Sequence, residues 1–216
     1  MIETILYDMD GTLVDTERLG LIAWQRTAED EGVELPLSVC RSFIGRNLPG
    51  VLGILEEHFG SAEYARKVYD LHREVELKIG EAELTTKEGA RESLQALKDA
   101  GYRIGLVTSS RRSSAERNMK RFGLLDFFDC ITSGEETENG KPAPDIYLLA
   151  ARKMGVDPAA CAVVEDSPNG ARSGLAAGMH VMMVPDMVEI PAEIADRCDA
   201  MMSSLLELPE QVRNLG

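Results

Sequence analysis

Residues 4–15 read Thr-Ile-Leu-Tyr-Asp-Met-Asp-Gly-Thr-Leu-Val-Asp, and the architecture follows from this segment. The apolar run Thr4–Tyr7 predicts a short buried strand, and Asp8 follows it directly. Because side chains alternate along a strand, Asp8 and Asp10 are expected to project to the same side. Gly11 then allows a sharp turn out of the sheet. Two carboxylates at the end of a strand can bind a hard cation or divide acid and base roles, although Asp-Gly is also a common turn signal.

Downstream of residue 85, short apolar runs alternate with helical patterns. After Thr4–Tyr7, the predicted strands are Arg103–Thr108, Cys130–Thr132, Ala162–Val164, His180–Val184 and Ala200–Met202. The predicted helices are Ala90–Ala100, Ser113–Phe122, Asp145–Met154 and Gly170–Ala177. This alternation implies right-handed βαβ units and therefore a parallel sheet covered by helices on both faces. The predicted fold class is α/β, with a Rossmann-like parallel-sheet core.

The interval 15–84 differs, because it contains helical patterns and no convincing strand. The helical patterns cover Glu17–Glu31, Val51–Phe59 and Ala62–Ile79. A βαβ crossover needs one helix, so this interval is predicted to be a helical cap subdomain inserted into the α/β core. The predicted domains are a core of residues 1–14 and 85–216 and a cap of residues 15–84.

Residues that bind phosphate in proteins follow the second strand. The segment Thr108-Ser109-Ser110-Arg111-Arg112 stands just before a predicted helix, where hydroxyls and backbone N–H groups form an anion site. The arginines add charge-assisted donors. The same segment can also be interpreted as a serine-rich helix N-cap. Further along, Lys141 precedes two prolines and another helix; it could neutralise phosphate, although a lone lysine there is usually a surface residue.

A second pair of acids follows the fourth strand. Glu165 and Asp166 end an apolar run and precede Ser167-Pro168, which is typical of a helix start. A helix cap explains Ser167 and Pro168 but not both acids. All these segments end strands of one parallel sheet, where α/β proteins place their ligands. Carboxylates, hydroxyls and an ammonium gathered there suit a magnesium ion and a phosphoryl group.

The composition excludes several classes of protein. The chain has 216 residues and a formal net charge of −14, which argues against nucleic acid as a partner. The N-terminus lacks the pattern of a signal peptide, and no apolar run approaches the length of a membrane span. We therefore expect a cytoplasmic protein without a membrane partner, as a monomer or a weak homo-oligomer.

Some residue types that often mark sites are interpreted as structural here. Trp24 lies in an amphipathic pattern and is predicted to pack in the cap core, whereas His58 and His72 are predicted to lie on helix surfaces. The cysteines form no C-x-x-C pair and have no histidine at metal spacing, so they are expected to be reduced thiols. They are Cys40, Cys130, Cys161 and Cys198.

Taken in order, these motifs resemble the four motifs of the haloacid dehalogenase superfamily. The matching residues are Asp8-Met9-Asp10-Gly11-Thr12, then Thr108-Ser109, then Lys141, then Glu165-Asp166. The resemblance covers essentially the whole chain. The inserted helices resemble the subgroup with a helical cap, which includes phosphoglycolate phosphatase, sugar-phosphate phosphatases and β-phosphoglucomutase.

The resemblance implies an enzymatic role for each acid. Asp8 would be the nucleophile that forms an aspartyl-phosphate, and Asp10 would be the general acid and then the base. The magnesium ligands would be Asp8, the Asp10 backbone carbonyl and Asp166, with Glu165 close by. Lys141 would help to offset the repulsion between a carboxylate and a phosphate.

The resemblance also implies which residues hold the substrate. Thr108, the backbone of Ser109 and Lys141 would hold the phosphoryl oxygens. Ser110 and Arg111 resemble the place where mutases bind a second phosphate. Two cap residues, Arg46 and Asn47, lie in a segment that resembles the substrate-selecting cap loop, although it can also be a plain connecting turn.

The expected activity is Mg²⁺-dependent hydrolysis of a small sugar phosphate or short organic-acid phosphate. The alternative is a β-phosphoglucomutase-like mutase, but Gly20 stands where the mutases carry a histidine on the first cap helix. Dehalogenases of the superfamily lack the second aspartate, which is Asp10 here. A non-catalytic binding protein is a third reading, and no G-x-G-x-x-G follows the first strand to indicate a dehydrogenase.

Overall fold

The computed structural model describes residues 1–44, 46 and 48–215. The chain divides into two compact units, Met1–Val14 with Thr86–Gly216 and Asp15–Thr85. We call them the core unit and the cap unit.

The core unit is built on a six-stranded parallel sheet in the order β3-β2-β1-β4-β5-β6. The strands are β1 Thr4–Tyr7, β2 Arg103–Thr108, β3 Cys130–Ser133, β4 Cys161–Glu165, β5 His180–Met183 and β6 Ala200–Met201. The predicted fold class is confirmed, and each strand lies where the sequence predicts it. Strand β1 lies between β2 and β4, with Tyr7 in register with Leu106 and Val164.

Helices and short 3₁₀ turns connect the strands of the core unit. The helices are α5 Ala90–Asp99, α6 Arg112–Arg121, α7 Asp145–Met154, α8 Pro168–Ala176, α9 Ala192–Ala195 and α10 Leu208–Leu215. The last two were not predicted; α9 is a single turn, and α10 is short. The four 3₁₀ turns are Leu125–Phe127, Gly134–Glu136, Pro158–Ala160 and Leu205–Glu207.

The centre of the sheet is buried on both faces, as expected for a parallel sheet between helices. Every residue of β1 and β4 is buried. On one face, Leu6, Val163 and Val181 pack against α7 and α8. This packing fixes the carboxyl ends of β1 and β4 side by side.

In the residues of the cap unit that the structure describes, there are four helices. They are α1 Thr16–Glu31, α2 Leu37–Arg41, α3 Leu48–Phe59 and α4 Ala62–Glu83. The short α2 was not predicted. Helix α1 packs along α4, and α3 packs along α4 as well.

His72 is buried in the cap unit, so the prediction that it lies on a helix surface was wrong. It shares the buried face of α4 with Ala65, Val68 and Ile79, which are spaced at helical intervals. Its ring stacks on Trp24, with centroids 3.6 Å apart and planes 3° from parallel. The prediction for Trp24 is confirmed, and His58 is exposed as predicted.

The remaining sequence expectations concern cysteines and membranes. The four cysteines are free thiols. Across the described ranges, no helix combines the length and the apolar character that a membrane crossing demands.

Candidate active site

The carboxyl ends of β1, β2 and β4 bring the predicted motifs together. The Asp8 N–H donates to the Val164 carbonyl at 2.9 Å, which continues the pairing of β1 and β4 past the end of the strand. Gly11 then adopts φ +82°, a conformation that disfavours any other residue. The chain turns back there, and the N–H groups of Leu13 and Val14 both donate to the Met9 carbonyl. The turn leaves the carboxylates of Asp8 and Asp10 at the edge of the sheet.

Lys141 joins the first motif to the fourth. Its Nζ lies 2.5 Å from Oδ1 of Asp8 and 2.6 Å from Oε1 of Glu165. All three side chains are almost completely buried. With all three groups ionised, this trio carries one net negative charge, which favours binding of a further cation.

The pKa values of the trio follow from burial and from its charges. Burial would lower the pKa of Lys141, but Asp8 and Glu165 raise it well above its ordinary value, so Lys141 stays charged. Burial raises the pKa of Asp8, and Glu165 and Asp10 add to the effect while Lys141 opposes it. The pKa of Glu165 is lowered despite its burial, because Lys141 and several hydrogen bonds stabilise its charged form.

Glu165 is held by donors on both carboxylate oxygens. Oε1 accepts from Lys141 and from the Tyr147 hydroxyl at 2.9 Å. Oε2 accepts from the N–H of Asp166 at 3.2 Å and from both the N–H and the hydroxyl of Ser167. Gly170 makes room for this carboxylate, since a Cβ there would lie 1.8 Å from its carboxyl carbon. Glu165 is therefore fixed in one orientation.

Tyr147 and Gly170 are contacts of Glu165 that the sequence did not predict. Tyr147 lies on the buried face of α7 and resembles any core residue of an amphipathic helix. Gly170 lies inside α8, where a glycine is unfavourable for the helix. That unfavourable position was the one available signal that a close neighbour required the glycine.

Asp10 is held by the second motif. Its Oδ2 accepts from the Thr108 hydroxyl at 2.9 Å and from the Ser110 hydroxyl at 2.8 Å. The Ser110 N–H in turn donates to Thr108 Oγ1 at 3.0 Å. Both predicted phosphate-binding hydroxyls thus contact the carboxylate of Asp10.

The other residues of this loop that were predicted to bind phosphate also follow the carboxyl end of β2. Ser109 and Arg111 are exposed, and Arg111 immediately precedes α6. Gly134 packs against the backbone of this loop, because a Cβ there would lie 2.4 Å from the Ser109 carbonyl oxygen. Its N–H donates to the Ser110 carbonyl at 3.3 Å.

Asp8, Glu165 and Asp166 form the one carboxylate cluster in the described residues that could hold a metal ion. Each offers an oxygen, and the three oxygens lie within 4.8 Å of one another. The cluster is buried, and its oxygen-only donor set fits Mg²⁺ or Ca²⁺. The Thr12 hydroxyl donates to Oδ1 of Asp166 at 3.4 Å. Glu165 already accepts five hydrogen bonds, so its oxygens have the least remaining capacity to bind a metal ion.

The two predicted cap residues belong to the other unit. Arg46 is exposed, and its Nε donates to the Ser42 carbonyl at 2.7 Å. Asn47 lies outside the residues that the structure describes. The substrate-binding roles of both residues stay predictions.

Comparison with known proteins gives three kinds of match. A family model described as haloacid dehalogenase-like hydrolase matches residues 5–184. Hexitol phosphatase B of Escherichia coli K12 is 33% identical over 189 residues, which is 83% of this chain and 82% of that protein. A phosphorylated carbohydrates phosphatase of Thermotoga maritima is 31% identical and covers 82% of both chains. The crystal structure of CbbY from Rhodobacter sphaeroides in complex with phosphate has a TM-score of 0.77 at 27% identity, covering 96% of each chain.

Proposed function

The chain belongs to the haloacid dehalogenase-like hydrolase family, in which it is a phosphate-monoester hydrolase, and we propose that it hydrolyses a small sugar, polyol or organic-acid phosphate through an aspartyl-phosphate at Asp8. Two relatives named as phosphatases of phosphorylated carbohydrates and of hexitols support the substrate class.

The observation that carries the proposal is the environment of Asp8. Its Oδ1 is bound by Lys141, whereas no hydrogen bond reaches Oδ2 in the described part of the chain. Oδ2 is therefore the oxygen available to attack phosphorus. Lys141 also supplies positive charge beside the point of attack, which offsets the repulsion between the carboxylate and a phosphate dianion.

The first step transfers the phosphoryl group to the protein. The bond from Asp8 Oδ2 to phosphorus forms while the bond from phosphorus to the substrate oxygen breaks. The leaving oxygen keeps the electron pair and takes a proton from Asp10. The Ser109 N–H and Lys141 are suited to bind the phosphoryl oxygens, because they are donors at the edge of the sheet.

The second step releases phosphate. Asp10, now without its proton, accepts a proton from water as the water oxygen attacks phosphorus. The bond to Asp8 breaks, and the Asp8 carboxylate is regenerated. Two successive displacements replace one direct hydrolysis, and each has a lower barrier than the direct reaction.

A magnesium ion held by Asp8 and Asp166, with Glu165 nearby, would neutralise charge on the transferring phosphoryl group. The backbone carbonyl of Asp10 is the further ligand that the family resemblance implies. Glu165 would contribute chiefly by fixing Lys141, since both of its oxygens already accept hydrogen bonds.

A phosphomutase stays the second candidate. Arg111 favours it, because an exposed guanidinium at the start of α6 could bind a second phosphate. Gly20 argues against it, since the first cap helix has no histidine there. Incubation with β-glucose 1-phosphate and a trace of the bisphosphate distinguishes the two, because only a mutase forms glucose 6-phosphate.

The decisive experiment for the phosphatase is a panel of phosphorylated metabolites assayed for phosphate release with Mg²⁺. We expect sugar or polyol phosphates to give the highest kcat/KM. The proposed function would be contradicted if the protein released no phosphate from any compound of the panel or from 4-nitrophenyl phosphate.

A further inference from the structure

We infer that Ser110 is a positioning residue that orients Asp10, holding one carboxylate oxygen so that the other faces the substrate's leaving group. This inference rests on the proposed function. It assigns Ser110 to the proton-transfer step rather than to phosphate binding.

The two oxygens of Asp10 have different surroundings. Oδ2 accepts from Ser110 at 2.8 Å and from Thr108 at 2.9 Å. In the ranges that the structure describes, no hydrogen bond reaches Oδ1. Two donors on Oδ2 disfavour a proton on that oxygen, because each hydroxyl already places a hydrogen there. Oδ1 is thus the oxygen that can carry a proton to the leaving group and later accept one from water.

Ser110 has no second hydroxyl proton to offer to a phosphate. A serine hydroxyl is one donor, and that donor is directed at Asp10. The Ser110 N–H donates to Thr108 Oγ1, so it is also occupied. Each donor of Ser110 is therefore used within the site itself.

The position of Ser110 is fixed by its neighbours. Thr108 is completely buried at the end of β2, and its Oγ1 accepts the Ser110 N–H. On the other side, Gly134 donates its N–H to the Ser110 carbonyl and approaches Ser109 too closely to allow a side chain. Because the loop is fixed by neighbours on both sides, the Ser110 hydroxyl can be positioned to within the fraction of an ångström that proton transfer requires.

The effect of losing the Ser110 hydroxyl on the reaction rate depends on the leaving group of the substrate. A poor leaving group needs a proton from Asp10 as its bond to phosphorus breaks, whereas a good one departs as the free anion. Phenol has a pKa near that of tyrosine, about 10, and 4-nitrophenol is markedly more acidic. Phenyl phosphate and 4-nitrophenyl phosphate are similar in size, so they separate proton transfer from binding.

The test compares Ser110→Ala, Ser110→Thr and the wild-type protein with both esters and Mg²⁺. For Ser110→Ala we expect kcat/KM with phenyl phosphate to fall at least about tenfold more than kcat/KM with 4-nitrophenyl phosphate, since general acid catalysis contributes about 10²–10⁴-fold. Ser110→Thr keeps the hydroxyl and should recover most of the loss. The inhibition constant of inorganic phosphate should stay within about twofold of wild type. Ser113→Ala, an exposed change on α6, is the matched control.

Two results would overturn the inference. One is an equal loss with both esters together with weaker inhibition by inorganic phosphate, which would make Ser110 a phosphate ligand. The other is no loss with either ester. If Ser110→Ala does not fold, Ser110→Gly removes the same hydroxyl and is read in the same way. Failure of the proposed function looks different, because the wild-type protein would then release no phosphate from 4-nitrophenyl phosphate.

Discussion

The hydroxyl of Tyr147 donates to Oε1 of Glu165 at 2.9 Å, between two side chains that are completely shielded from solvent. The same carboxylate oxygen accepts from Lys141, which lies 5.1 Å from the centre of the Tyr147 ring. Tyr147 therefore stabilises the charged Glu165 from within the core, and Glu165 holds Lys141 against Asp8. The position of Lys141 therefore depends in part on a completely buried residue of α7.

Tyr147→Phe should destabilise the protein without changing its fold. The substitution removes one donor from a buried carboxylate, and hydrogen bonds to charged groups are worth about 1.5–3 kcal/mol. We expect the free energy of unfolding in urea to fall by about 2 kcal/mol. Tyr102→Phe is the control, since Tyr102 has no side-chain hydrogen bond within the described ranges. An unchanged stability for Tyr147→Phe would mean that its hydroxyl is not bonded to Glu165.

Asp8→Asn should abolish phosphate release and preserve folding. An amide cannot serve as the nucleophile, so no aspartyl-phosphate can form. We expect kcat to fall at least about 10³-fold, well within the rate acceleration of about 10⁶-fold or more that enzymes reach, with an unchanged circular dichroism spectrum. Asp99→Asn, an exposed substitution on α5, should retain activity. Substantial turnover by Asp8→Asn would contradict the proposed mechanism.

Removal of divalent cations should stop the reaction. With EDTA we expect no phosphate release, and added Mg²⁺ should restore it, because the carboxylates around Asp8 need a cation before a phosphate dianion can approach. Asp166→Asn should raise the Mg²⁺ concentration that gives half-maximal activity, at least about tenfold, as it removes one charged ligand. Calorimetric titration with Mg²⁺ measures the affinity independently of turnover. Full activity in EDTA would exclude a metal-dependent site.

Gly170→Ala should be strongly destabilising. Its Cβ would overlap the carboxyl group of Glu165, which the surrounding donors prevent from moving. We expect a loss of about 3 kcal/mol in the free energy of unfolding, the upper end of the usual cost of overpacking an interior. Gly53→Ala is a matched control inside α3, where the added Cβ has no atom within 4 Å. That substitution should stabilise the helix by about 0.5–1 kcal/mol.

The cap unit should lose stability in acid because of His72. Burial, followed by the charge of Arg73, lowers the pKa of His72 from 6.5 to about 3. The unfolded chain therefore binds a proton below about pH 6.5 that the folded chain does not bind until about pH 3. The contribution of His72 to stability falls by about 1.4 kcal/mol per pH unit across that window.

The pH dependence can be isolated by substitution. Relative to wild type, His72→Phe should gain stability steadily as the pH is lowered from 6.5 towards 4, as measured by urea unfolding. Phe keeps an aromatic ring against Trp24 but cannot bind a proton. The exposed His58→Gln should give a difference that does not change with pH. A constant difference for His72→Phe would show that His72 is charged in the folded protein.

Much of the fold could be predicted because hydrophobic periodicity reports burial directly. The run Thr4–Tyr7 is buried on both faces and bounded by polar residues. The same signal identified the remaining five strands. His72 was mispredicted because its helical face could be identified only through Ala65 and Val68, and a histidine on such a face is equally compatible with exposure. Burial of a polar residue depends on its packing partner, which for His72 is Trp24 on another helix.

The residues of the candidate site could be proposed from the sequence, whereas their contacts could not. Asp8 and Glu165 could be singled out because each lies where a predicted strand ends, and Lys141 because it precedes two prolines and a helix. The pairing of Ser110 with Asp10 could not be predicted, since both hydroxyls and carboxylates are compatible with phosphate or metal binding. Distances between chain segments decide which partner a donor takes.

The place where the chain leaves and re-enters the core unit has a consequence for evolution. Val14 and Thr86 form an antiparallel bridge, and the Lys87 N–H donates to the Leu13 carbonyl at 2.9 Å. Paired backbones of this kind lie about 5 Å apart, so a two-residue turn could rejoin them. The segment Asp15–Thr85 can therefore be exchanged, shortened or replaced without altering any strand of the core sheet. The helices of the cap unit could then diverge under selection while the chemistry at Asp8 is inherited unchanged.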